Sequence, residues 1–117
     1  MINYGKQTIN QRDIDSVTET LKSNWLTQGP KIAEFEEDFA RYCGSKYAVV
    51  VSNGTAALHL ANLALGISTQ SKVLTTPITF LATANSIIYA GGVPIFSDIS
   101  KESFTLSPDL LQEKIDL

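Results

Sequence analysis

Residues 47–66 read YAVVVSNGTAALHLANLALG. The first five form a continuous apolar run with the length and β-branched content of a buried strand. Residues 52–55 make a polar turn around a glycine, and residues 56–65 are good helix formers closed by Gly66. Strand, turn and helix in that order open a βαβ unit, and the pattern repeats downstream. Residues 72–75 form a second short strand. Pro77 and Thr79 precede a helix from about Phe80 to Ala90. Gly91 and Gly92 then lead to a third strand at 93–96. Ser107, Pro108 and Asp109 are an N-cap, N1 and N2 series that opens a last helix. This alternation predicts an α/β fold with a mainly parallel sheet. Ligands of such sheets bind outside the carboxyl ends of the strands, which directs attention to residues 52–56 and 76–80.

Two helices come first. Asn10 is an N-cap with Asp13 three residues on, and Ile14, Val17 and Leu21 recur at helical spacing. Residues 24–29 (NWLTQG) read as a loop. Pro30 suits a first helical position, and Ile32, Phe35, Phe39 and Tyr42 follow before Gly44 stops the helix. The expected organisation is therefore 1–45, two helices and a loop, and 46–117, the α/β part. The helical pattern of residues 114–117 has no stop signal, and three parallel strands leave a sheet edge unfilled. The expectation is an incomplete α/β fold, the amino-terminal portion of a longer design; a small complete domain is the alternative.

Composition narrows the function classes. The chain has 117 residues with 12 acidic and 9 basic side chains, a net charge of −3. A nucleic-acid binder presents a basic face, so nucleic acid is not the expected partner. No apolar run approaches the ~18 residues of a membrane span. The single Cys43 forms no internal disulfide and reads as a small buried hydrophobe at a helix end. No spacing of His, Cys or carboxylates suggests a metal. These features describe a soluble protein of a reducing compartment.

Three segments are candidates for chemistry. The 52–57 turn opens a helix, where unpaired N–H groups and a partial positive charge favour an anion. Gly54 permits close approach and Thr55 adds a hydroxyl, yet the same turn is also a plain N-cap; it is neither a dinucleotide fingerprint nor a P-loop. Phe80 stands at a strand-to-helix turn, as a core residue or as a ring that stacks on a flat heterocycle. The loop around Trp25 is a helix connector or a binding loop. His59 reads as a packed or surface residue, Asp98 as a carboxylate without a visible partner, and residues 34–38 as a solvated acidic face.

Together LTQGP at 26–30, SNGTAALHLA at 52–61, TTPITFLATANSI at 75–87 and GGVPIFSDI at 91–99 resemble one family in order and spacing. It is the DegT/DnrJ/EryC1/StrS group of sugar-nucleotide aminotransferases that use pyridoxal 5′-phosphate (PLP). The resemblance implies the amino-terminal portion of a fold type I PLP-dependent transferase large domain. It implies PLP as cofactor, a UDP-4-keto-6-deoxy sugar as substrate, glutamate as amino donor, a homo-oligomer and a cytoplasmic location. Gly54, Thr55 and Ala56 match the turn that holds the cofactor phosphate, and Phe80 matches the ring that stacks on the pyridine. Tyr4, Asn24, Trp25, Leu26 and Thr27 match segments lining the sugar-nucleotide site, with Thr27 and Gln28 toward the dimer partner. The family's Schiff-base lysine belongs to a motif beyond residue 117. The lysines present, Lys6, Lys22, Lys31, Lys46, Lys72, Lys101 and Lys114, lie in none of the matching motifs, so none is assigned as catalytic. The expected consequence is a chain inactive by itself. A non-catalytic binding module and a structural remnant of a disrupted gene are the alternatives.

Overall fold

The structure is a computed structural model that describes residues 5–115. Tyr4 lies outside the described residues. The chain divides into two compact units, Met1–Val50 and Val51–Leu117.

The first unit holds α1 (Gln11–Lys22) and α2 (Pro30–Cys43). Asn10 begins α1 as expected. Its side chain accepts from the backbone N–H groups of Arg12 and Asp13, while its own N–H donates to the Asp13 carboxylate at 2.8 Å. This reciprocal capping box satisfies donors that a helix start leaves unpaired. Pro30 occupies the first turn of α2. Gly44 ends it at φ 66°, a conformation that favours glycine, and the N–H of Ser45 reaches back to the Ala40 carbonyl. Phe35 and Phe39 stack with ring centres 5.7 Å apart, and Ala40 is the buried apolar residue of this unit among those described.

Two expectations fail in this unit. Residues 47–50 of the anticipated first strand, and Val51 after them, carry no ladder. A strand needs a partner for its backbone groups, and the two strands that do form pair with each other. Here the Val50 N–H donates instead to the Glu36 carboxylate at 2.8 Å, and Tyr47 and Val49 stay exposed. Cys43 is exposed rather than buried, because the last turn of α2 is uncovered and Tyr42 beside it is exposed as well.

The second unit runs α3 (Gly54–Ala64), β1 (Lys72–Thr75), α4 (Ala82–Tyr89), β2 (Val93–Phe96) and α5 (Pro108–Ile115). β1 and β2 are parallel, with Lys72 opposite Val93 and Thr75 opposite Phe96, and α4 is the connection between them. The parallel βαβ expectation holds, with two strands rather than three among the described residues. α4 begins at Ala82, two residues later than expected. Phe80 and Leu81 form its lead-in turn, and the Thr83 N–H donates to the Phe80 carbonyl at 3.0 Å.

Gly92 sets the approach of α4 to β2. A Cβ there would stand 2.6 Å from Ile67 Cγ2 and 3.1 Å from Ile87 Cγ2, and Ile87 is buried. The packing of α3 on α4 includes two directional side-chain contacts. His59 and Tyr89 touch edge to face at 5.8 Å, and the Asn62 side-chain amide donates to the Ser86 hydroxyl at 3.0 Å. Beyond β2, the buried Ser97 hydroxyl donates to the Leu110 carbonyl at 3.0 Å and ties α5 to the strand end.

Candidate functional site

The start of α3 keeps the properties its sequence suggests. Asn53 is extended, and its side-chain oxygen accepts the Ala56 N–H at 2.9 Å. Its backbone carbonyl accepts the Ala57 N–H at 3.2 Å. A helix leaves its first N–H groups without intrahelical partners. Among the described residues those of Gly54 and Thr55 have no partner, and neither has the Thr55 hydroxyl. The Ala56 N–H is occupied by the cap, so its use by a ligand requires Asn53 to let go.

The surroundings favour an anion. α3, like α2 and α4, carries no acid in its first turn, so nothing in that turn offsets its positive end. A Cβ built on Gly54 meets nothing within 4 Å, which leaves open space beside the free N–H groups. A phosphate dianion fits this donor set: two backbone N–H groups, one hydroxyl and room to enter.

The second turn follows β1. The Thr76 hydroxyl accepts the Ile78 N–H at 3.2 Å, and the Thr79 and Thr83 hydroxyls share a hydrogen bond of 3.0 Å. These local bonds favour a turn over continued strand. Phe80 is 77% exposed, so it is not the core residue that a bare sequence reading puts first. Its ring face is free for an aromatic ligand.

In the first unit the loop before α2 is held by its own groups. The Trp25 indole N–H donates to the Thr27 carbonyl at 2.6 Å, while its ring remains 64% exposed. Gln28 has φ 53°, and a Cβ at Gly29 would collide with the Trp25 carbonyl. Asn24, Leu26 and Thr27 are exposed beside it.

Sequence reasoning overlooked Asn53, Asn62 and Ser86. The signal for the last two was weak: polar residues within largely apolar helices that hold other polar residues as well. Among the described residues no group of His, Cys, Asp and Glu could hold a metal, and no helix is long and apolar enough to cross a membrane.

Superposition on solved structures assigns this parallel α/β arrangement to the fold of the PLP-dependent aminotransferases. The solved structure of Spr1654 from Streptococcus pneumoniae in its PLP form superposes with a TM-score of 0.87 at 30% identity, over 96% of this chain and 29% of that one. The sequence pattern of the DegT/DnrJ/EryC1/StrS aminotransferase family matches residues 7–117, and the chain belongs to that family. The Bacillus subtilis spore coat polysaccharide biosynthesis protein SpsC is 44% identical over 96% of this chain and 29% of its own length. The UDP-4-amino-4,6-dideoxy-N-acetyl-beta-L-altrosamine transaminase of Campylobacter jejuni (strain 81-176) is 50% identical over 87% of this chain and 27% of its own. The chain thus spans under a third of the length of these relatives. PLP is the cofactor of the family, and Spr1654 has also been solved in a PMP form.

Proposed function

We propose that this chain forms the phosphate cradle and the ring-stacking turn of a PLP-dependent aminotransferase that transfers an amino group from glutamate to a UDP-4-keto-6-deoxy sugar. The carrying observation is the free donor set at Gly54 and Thr55 beside open space. The substrate follows from the similarity to the Campylobacter transaminase, whose product name carries the amino group at C4 of a 4,6-dideoxy sugar. On this reading the protein works in nucleotide-sugar synthesis of the pseudaminic type, in the cytoplasm, as a homo-oligomer.

The bound cofactor supplies the electron sink for amino transfer. This chain's residues bind and orient. The Gly54 and Thr55 N–H groups and the Thr55 hydroxyl hold the phosphate at the positive end of α3. Phe80 lies flat against the pyridine ring and fixes its tilt. Ala56 joins the cradle if Asn53 releases it. Asn24, Trp25, Leu26 and Thr27 bind the sugar nucleotide, on a loop whose Trp25–Thr27 bond preforms it, and the resemblance adds Tyr4 to this set. The family's Schiff-base lysine lies outside these residues.

The test uses pyridoxine 5′-phosphate, which lacks the aldehyde and so cannot form imines with surface lysines. The chain should bind it in ligand-observed NMR. Thr55→Ala should weaken binding about tenfold, the worth of one hydrogen bond to a charged group. No binding by the wild-type chain would refute the cradle. In an amino-transfer assay with PLP, glutamate and a UDP-4-keto sugar, the 117-residue chain should show no steady turnover; turnover would overturn the assignment of the lysine elsewhere.

A further inference from the structure

Ser86 is the most buried hydroxyl of α4, at 1% exposure. A buried hydroxyl must find partners or destabilise its surroundings. Ser86 has two. Its proton goes to the Thr83 carbonyl at 2.9 Å, since a carbonyl only accepts. Its lone pair must therefore receive a donor, and the Asn62 side-chain amide supplies it at 3.0 Å. Thr83 in turn donates its N–H to the Phe80 carbonyl and shares its hydroxyl with Thr79. The bonds form one continuous path from the C-terminal part of α3 to the turn that carries Phe80. The other end of α3 carries the free N–H groups of Gly54 and Thr55.

We infer that Asn62 and Ser86 are positioning residues, which fix the Phe80 turn relative to α3 and so set the distance between the ring that stacks and the cradle that holds phosphate. The inference rests on the reading of 54–55 and Phe80 as a cofactor site, and adds two residues that touch no ligand. Packing alone gives two smooth helices several sliding positions. A hydrogen bond between Asn62 and Ser86 has one distance and one direction, so it selects among them. The direction is specific: position 62 must donate, which asparagine does and aspartate cannot.

Two probes separate the parts. Inorganic phosphate reads only the cradle, and pyridoxine 5′-phosphate reads cradle and ring together. Asn62→Ala and Asn62→Asp should each weaken pyridoxine 5′-phosphate about three- to tenfold, the span of an aromatic stacking contribution. Inorganic phosphate should change by less than about twofold, because the donors at 54 and 55 are untouched. Amide exchange at Thr83 should quicken in both variants without any ligand. Asn62→Leu with Ser86→Ala replaces both partners by apolar groups, which restores helix stability; it should melt like wild type yet keep the weakened pyridoxine 5′-phosphate binding. Equal loss of both probes in the single variants, no loss of either, or full recovery by the double variant would each overturn the inference. A wild-type chain that binds neither probe would instead refute the cradle itself, and the inference with it.

Discussion

Gly54 and Gly92 stand in opposite surroundings, and the same substitution should separate binding from folding. A Cβ at Gly54 meets open space, and alanine suits a first helical turn better than glycine. Gly54→Ala should therefore leave the thermal midpoint unchanged or slightly raised, while the added methyl stands where an anion approaches the Gly54 and Thr55 N–H groups. Phosphate binding should fall about tenfold or more, as expected when a charge-assisted bond is lengthened. At Gly92 a Cβ would enter the contact between Ile67 and the buried Ile87. Gly92→Ala should lower stability by about 1–3 kcal/mol, the usual cost of overpacking. Calorimetry on the two variants checks both, and a destabilised Gly54→Ala would mean that the space at 54 is part of the fold. At this scale the sequence was legible where a residue's type forces a role. Asn10, Pro30, Gly44 and Gly66 all sit where capping and stop rules put them. It was not legible where the role depends on a distant partner, as with Asn62 and Ser86, 24 residues apart.

Elements followed the same division. The boundaries of β1, β2 and α2 were readable because apolar periodicity and Gly and Pro punctuation are local. The 47–51 run was misread because strand formation is a property of pairs. The run has strand composition, and its Val50 N–H found the Glu36 carboxylate rather than a neighbouring strand. The connection from β2 to α5 is built the other way, from hydrogen bonds rather than apolar contact. Ser100 donates to the Glu102 carboxylate at 2.8 Å and accepts the N–H groups of Glu102 and Ser103, next to an antiparallel bridge of Ile99 with Leu106. The Ser100 hydroxyl, and after it the backbone N–H of Glu102, hold the Glu102 carboxyl below the usual glutamate range. A carboxylate depressed in the fold helps order this loop above its unfolded pKa, and that help disappears as pH falls through the folded value. Ser100→Ala should move the Glu102 midpoint up toward an ordinary glutamate in an NMR titration. An unmoved midpoint would show that the hydroxyl is not the cause.

At the level of the whole molecule, apolar composition and apolar burial disagree. Apolar residues are 44% of the chain, yet among the described residues only Ala40, Ala82 and Ile87 are buried apolar side chains. In the first unit Ile14, Val17 and Leu21 form the α1 stripe that the sequence predicts, and each is at least half exposed. Phe35 and Phe39 cover each other and little else. In the second unit Leu58, Leu60 and Leu63 on α3 and Val93 and Phe96 on β2 are similarly open. The helical periods were legible because they are written locally; what covers their apolar faces was not, because the covering surface is not written in the same stretch. Full burial of one such side chain is worth about 1.5–3 kcal/mol, so a few of them outweigh the entropy lost when two copies join. In a solution of this chain alone, the available cover is another copy. The free backbone edges of β1 and β2 add ladder donors and acceptors that a second strand can use. The 117-residue chain should therefore sediment as a dimer or larger species at micromolar concentration. The association should persist in high salt, because apolar burial is not screened as surface charge is. Leu21→Lys with Phe35→Lys should shift the population toward monomer if the first unit supplies the contact, and leave it unchanged if β1 and β2 do. A clean monomer at micromolar concentration, with these side chains still accessible to solvent, would contradict the expectation that exposed apolar faces of this extent drive association.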